Sequence, residues 1–461
     1  MMTFVKPGKL FYGSSMLYVV FHSLTMELFS ESAEGYFFYL LILILGNYIF
    51  SCTIKNGKLR SYKYIVFLII NIAYFVKFYA IVYVTQIERN SIYEAILLGG
   101  KLPEYMSLPL LYDAYSKFTV MYLITAMAFL CADKVKLNIR NYKNTLIFRA
   151  RALFALIMLV VFIFVMSTVL RLLFKETAIE PISVVLNTYL VPLLFIFMIV
   201  GSINSTNYHW AKALAITFVI SGLLQFSVFG SKLYIILPFI WVVVIQSVSK
   251  FTLIKPAYFL LSPFALLAYP LFNFYREALY ANNGVNLFLQ VIERLNASDA
   301  NFLSLAFFSL LHRFIGVDSF VVLLQARDSI YSTLSIIDVA LMSKSIAYII
   351  TYDILSYKYE MGISTSIFGE LYFLAGNLIM ASGLLFIFTF LSCIFIRLLL
   401  ERNSVFSKSL GIYFIVFFSL YFNEGVILSS LKYQAFTILS FLIMYKFFFK
   451  RIRVKALVVA L

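Results

Sequence analysis

Charge is scarce in this sequence. Only 13% of its 461 residues are Asp, Glu, Lys or Arg, while 63% are hydrophobic; a soluble domain carries about 25% charged and about 45–50% apolar residues. No water-soluble fold hides that much apolar surface, so soluble enzymes and soluble binding domains are excluded. Short segments of alternating apolar and polar residues, the mark of a membrane barrel, are missing as well. What remains are continuous apolar runs of about 17–25 residues, the length of a spanning helix. The chain is therefore expected to be all-α and polytopic.

Other absences narrow the chemistry. Cys52, Cys131 and Cys393 lie far apart and form neither a CxxC pair nor a disulfide framework. His22, His209 and His312 are too scattered for a zinc site. No GxGxxG, GxxxxGK[ST] or HExxH occurs, which removes the common nucleotide and metalloprotease signatures. No metal or cofactor is expected, and any activated substrate must bring its own leaving group. The first apolar run follows Lys6 and Lys9 but is too long for a signal peptide and lacks a cleavage site, so it reads as an uncleaved helix.

About twelve spans are expected, at 11–30, 36–52, 64–86, 114–132, 152–174, 182–200, 211–229, 233–249, 251–272, 367–396, 409–423 and 425–448. With the N-terminus inside and sides alternating, about 23 of the 37 Lys and Arg fall on the cytoplasmic side, with only about 2 of the 21 Asp and Glu. Such a bias is what the positive-inside rule demands, and it puts both termini in the cytoplasm. The net charge of +16 thus reports orientation rather than a nucleic-acid partner. Three regions follow: 1–272 with nine spans, a hydrophilic segment 273–366 on the external face, and 367–461 with three spans and a basic tail. The external segment has no Pro and few Gly, and NLFLQVIERL (286–295) and IIDVALMSKSIAYIITYDIL (336–355) show helical periodicity. These helices are expected on the membrane surface or capping the bundle. Whether 302–325 dips into the bilayer is left open.

Cations on the external side are the candidates for function. Arg171 and Lys175 share a helix face at the end of the fifth expected span. Lys232 sits in a tight turn, Arg276 follows the ninth run, and Arg313 and Arg327 lie in FFSLLHRFIGVDSFVVLLQARDSIY (307–331). In an unbroken helix the last two would share a side about 21 Å apart, unless Gly316 and Asp318 break it. Lys77 and Lys432 lie inside apolar runs, where a cation costs about 2.5–3.5 kcal/mol and needs an anion or water. Each also has a plain structural reading. Arg171 and Lys175 would snorkel to headgroups, Lys232 would be a turn residue, and Arg276 would pair with Glu277. Arg327 would cap a helix or meet Asp328 or Asp318, and the two lysines would pair with Glu27, Glu370 or Glu424. Together the external cations point to an anionic ligand, with arginine suited to phosphate. In MGISTSIFGELYFLAGNLIMASG (361–383), Gly369, Gly376 and Gly383 recur every seven residues and are expected to let helices approach closely. Glu370 there is read either as the partner of a lysine or as a catalytic carboxylate, and His312 either as an interfacial histidine or as a base.

Three features resemble the bacterial oligosaccharide repeat-unit polymerases, the Wzy-type O-antigen polymerases: the Gly230–Ser231–Lys232 turn, the arginine-bearing late external segment, and the GISTSIFGELYFLAGNLI entry to the following span. Lys232 stands where the family more often has Arg. The resemblance implies a GT-C-like membrane glycosyltransferase of the bacterial inner membrane. It would take undecaprenyl-diphosphate-linked oligosaccharide at the outer face, alongside membrane lipids and a chain-length regulator as partners. It further implies that Lys232, Arg276, Arg313, Arg327 and Arg171 bind the diphosphate and that His312 or Glu370 serves as the base. An O-antigen ligase and a flippase of the same lipid-linked units are the rival expectations.

Overall fold

The computed structural model describes residues 7–56, 60–89, 102–137, 150–173, 186–229, 233–249, 251–253, 316–331, 366–402, 404–424 and 433–446, with single positions at 94, 97, 98, 304, 307, 308, 311 and 312. Every regular element among them is helical. In order these are α1 (Pro7–Thr25), α2 (Ala33–Asn56), α3, α4 (Leu108–Lys134), α5 (Ala150–Leu173), α6, α7 (Tyr208–Phe229), α8 (Leu233–Ser249), α9 (Val317–Tyr331), α10 (Ser366–Ala375), α11 (Leu378–Glu401) and α12 (Val405–Glu424). Helix α3 changes its winding along its length. It is α over Arg60–Ile70, π over Asn71–Val76, α over Lys77–Val82 and π over Tyr83–Glu88. Helix α6 likewise opens as π over Leu186–Leu190 before Val191–Asn204.

The chain is a multi-pass helical membrane protein. Among the described residues six helices are long and apolar enough to cross a bilayer: Ala33–Ile54, Tyr62–Glu88, Leu108–Lys134, Leu186–Asn204, Leu378–Glu401 and Val405–Phe422. Their exposed faces are greasy. Along α11, Met380, Leu384, Ile387, Leu391 and Phe395 are all exposed at helical spacing, a stripe suited to lipid and not to water.

This corrects the expectation of about twelve spans in a GT-C-like arrangement: among the described residues six membrane-length helices are found, and nothing in them defines that fold. The apolar run at 11–30 is interrupted where α1 gives way at Met26 to a 3₁₀ segment kinked at Phe29 (φ −106°, ψ 27°). The run at 233–249 forms a helix of 17 residues. The run at 367–396 is two helices. Gly376, at φ 76°, ends α10 by donating its N–H to Tyr372 O at 3.0 Å. Asn377 then starts α11, its side chain accepting the Met380 N–H at 2.9 Å. A left-handed glycine followed by an Asn cap is a stop and a start in adjacent residues. The expected run at 251–272 and most of the segment at 273–366 lie outside the described residues.

The chain divides into two compact units, Met1–Asn138 with Lys255–Leu398 and Ile415–Ile427, and Ile139–Ile254 with Leu399–Phe414 and Leu428–Leu461. The first unit is built on α2 lying along α4, with α1, α3, α9 and α10 against them. Aromatic rings fill it: Tyr36, Tyr74, Phe75, Phe78, Tyr115, Phe118 and Tyr122 are all fully buried. Phe78 stacks on Tyr115 at 4.8 Å, and Phe75 meets Tyr122 edge-on at 5.4 Å. Each such pair adds about 0.5–1.5 kcal/mol beyond the area it buries. Several polar groups in this core are matched, as a low dielectric favours, although Asn47 Nδ2, Thr119 Oγ1 and both His22 ring nitrogens have no hydrogen-bond partner among the described residues. Tyr122 donates to Asn47 Oδ1 at 2.7 Å, and Tyr18 donates to Asn71. At one end of α4, Lys63 pairs with Asp133, and Arg397 donates to the carbonyls of Ala132 and Val135 at 2.8 and 3.1 Å. In the second unit, Phe218 of α7 lies between Phe195 of α6 at 4.7 Å and Trp241 of α8 at 5.9 Å. Ser167 of α5 donates to Asn187 at 2.6 Å.

Candidate functional site

A lysine in the middle of an apolar helix needs an anion. Lys77 is fully buried about half-way along the 27-residue span Tyr62–Glu88, about 16 Å from its Glu88 end. Its partner is Asp318, with Nζ 2.7 Å from Oδ2 and both side chains buried. The pair joins positions 241 residues apart in sequence. The expectation of an acidic partner for Lys77 thus holds, with Asp318 as the acid where Glu27, Glu370 and Glu424 were the examples named. Of 302–325, the run Gly316 through Leu323 is buried, and Asp318 brings it to the level of Lys77.

The local sequence explains the seating. Gly316 comes so close to α3 that a Cβ there would fall 2.5 Å from the carbonyl oxygen of Ala73. Ala73 belongs to the π segment, a winding that recurs at functional sites. Asp318 uses its second oxygen to accept the Gly316 N–H at 3.4 Å, and the Phe320 N–H reaches the Gly316 carbonyl at 3.2 Å, starting α9. The Asp318 carboxylate thus sits in the first turn of a helix, where the dipole favours it. Because α9 begins at Val317, the four-turn alignment of Arg313 with Arg327 in one unbroken helix does not hold. Gly316→Ala should lower the thermal unfolding midpoint in detergent, at a cost of about 1–3 kcal/mol. Gly383→Ala should leave the midpoint unchanged, since nothing lies within 4 Å of a Cβ there. That open space also overturns the expected role of Gly383 in close helix approach, and Gly376 serves as a helix stop instead.

His312 precedes this seat in the chain, and Glu370 lies in α10, which packs against α9. His312 is half-buried, with Nδ1 3.0 Å from the carbonyl oxygen of Leu97. A carbonyl only accepts, so Nδ1 carries the proton and Nε2 is the basic nitrogen of the neutral ring. Glu370 is buried in α10. Its helix is tied to the seat by Phe368, whose ring lies 4.5 Å from that of Tyr74, and by Tyr372, 5.6 Å from Phe320. The Tyr74 hydroxyl donates to Phe422 O at 3.2 Å. Helix α10 opens at Ser366 with φ 55°, a left-handed conformation that costs a non-glycine residue about 1–3 kcal/mol. Its hydroxyl repays part of this by accepting the Gly369 N–H at 3.4 Å.

Of the other residues singled out in the sequence, Arg327 lies in the C-terminal half of α9 and Arg171 in the last turn of α5, in the second unit. Lys232, Arg276, Arg313, Lys175 and Lys432 lie outside the described residues. Sequence reasoning overlooked Lys117, which pairs with Asp113 one turn earlier in α4 and lies 5.7 Å from the centre of the Tyr372 ring. The Asp-x-x-x-Lys spacing inside an apolar run was the signal that could have found it. Among the described residues no three His, Cys, Asp or Glu side chains group as metal ligands would.

The class that fold and site define is a multi-pass α-helical membrane protein with a charge-pinned segment seated among its helices. No family model, curated protein or solved structure matches the chain.

Proposed function

We propose that the protein polymerises the repeat units of a bacterial surface polysaccharide, O-antigen or capsule, at the outer face of the inner membrane. The growing glycan moves from undecaprenyl diphosphate to a hydroxyl of the next lipid-linked unit. The anomeric carbon bonds to the acceptor oxygen as its bond to the diphosphate oxygen breaks. The electron pair leaves with the diphosphate, and the hydroxyl proton passes to His312 or Glu370. Arg276, Arg313 and Arg327 balance the charge that develops on the leaving group. The carrier supplies the leaving group, so the step uses no nucleotide.

One observation carries the reading beyond the family resemblance. The stretch that includes His312 is held by Leu97, and Asp318, six residues on, is locked to Lys77 in the core. Catalytic groups work best when a rigid frame fixes them before substrate arrives. Deleting the gene tests the function. Single repeat units should then remain on the carrier or the surface, with no longer chains. A strain that displays no units at all would point instead to a flippase or a ligase.

A further inference from the structure

We infer that Lys117 is a further binding residue for the lipid-borne diphosphate, an inference that rests on the proposed polymerase reaction. Lys117 lies about 14 Å along α4 from Leu108, in the half of the helix away from the basic residues at 134–151. Its side chain is 15% exposed, so the ammonium is largely withdrawn from solvent yet reachable. Of its three N–H donors, Asp113 takes one. Among the described residues no other acceptor is paired with it. Tyr372 offers its ring at 5.7 Å, a contact that steers a cation without satisfying its donors.

The placement links Lys117 to the seat already described. Tyr372 belongs to α10, the helix of Glu370, and its ring lies 5.6 Å from that of Phe320 in α9, the helix of Asp318. An ammonium with donors to spare, held against a ring that itself packs on α9, fits an anion with several oxygens. Asp113 is 44% exposed and holds the lysine only as a neighbour on the same helix. An arriving diphosphate, with more charge and more acceptors, would compete with it. Bilayer phospholipid headgroups present the same phosphate chemistry, so the test must separate the two sources.

The experiment measures binding of undecaprenyl diphosphate to the full-length protein in nanodiscs of phosphatidylcholine. Wild type should bind, and Lys117→Gln should bind about tenfold more weakly, the loss of one charge-assisted hydrogen bond. Lys117→Arg should recover most of the affinity. Asp113→Asn should bind more tightly than wild type because it removes the competing carboxylate. A purely structural ion pair would shift both partners' variants in the same direction, so opposite shifts support the inference even if Lys117→Gln is less stable. Equal binding by wild type and Lys117→Gln overturns it. A Lys117→Gln protein that binds normally but loses co-purifying phosphatidylglycerol would assign the lysine to headgroups and also overturn it. Wild type that binds no undecaprenyl diphosphate would overturn the polymerase reading itself.

Discussion

Lys77→Met should destabilise the protein by about 3–5 kcal/mol, because it strands the Asp318 carboxylate in a low-dielectric core. Asp318→Leu should also destabilise the protein, by removing the carboxylate that meets the fully buried Lys77. The double variant Lys77→Met/Asp318→Leu should recover most of the loss, since a buried pair replaced by apolar groups of similar volume is often neutral. The measurement is the thermal unfolding midpoint of the four proteins in detergent, read as a double-mutant cycle with a coupling well above 0.5 kcal/mol. Polymer length separates stability from seating. If the pair serves to hold the 312–323 stretch in register, the double variant will be stable and still make shorter chains than wild type. Full-length product from it would reduce the pair to a contribution to folding.

Arg313→Ala should leave the protein in the membrane at wild-type level and abolish long polysaccharide. Removing one preorganised donor from a developing anion costs about 10²–10³ in rate. Because chain length compounds every transfer step, a loss of that size collapses the product to one or two units. Arg313→Lys should recover only part of the activity, since an ammonium cannot donate the two parallel hydrogen bonds of a guanidinium. His312→Ala gives a companion test through a different route. It removes both the proposed base and the contact with Leu97, 3.0 Å away in the native protein. His312→Asn, which can keep that hydrogen bond but takes no proton, should be as inactive as Ala if the ring is the base. Undiminished chain length in Arg313→Ala would remove Arg313 from the mechanism.

Much of the helical layout was legible before the structure, and the reasons are specific. Among the described residues, five of the six membrane-length helices match the apolar runs near 36–52, 64–86, 114–132, 182–200 and 409–423, and the sixth, Leu378–Glu401, takes up only the later part of the run at 367–396. The need of Lys77 for an anion was likewise readable, since a charge in an apolar helix is costly anywhere. Its partner was not. Asp318 lies 241 residues away, and glutamates in apolar surroundings offered rival partners. Hydropathy also hid the break at Gly376–Asn377, because the flanking residues are apolar on both sides. The Gly-Asn pair itself carried the message, as a helix stop next to a helix cap. The seven-residue glycine spacing misled for a related reason. Once the helix stops at Gly376, Gly383 belongs to a new helix with a different facing, and it looks onto open space. The close approach of Gly316 to Ala73 could not have been found from sequence, since it depends on a local π winding that no residue pattern announces.

The account comes down to a single reaction, and it can be run with the purified protein. Lipid-linked single repeat units, extracted from the deletion strain, would be incubated with protein in liposomes and resolved by size. A ladder of longer glycans should appear, with one free undecaprenyl diphosphate released for each bond formed, and it should be absent with the Arg313→Ala protein. Single units left intact by active, folded wild type, with no diphosphate lipid released, would contradict the account.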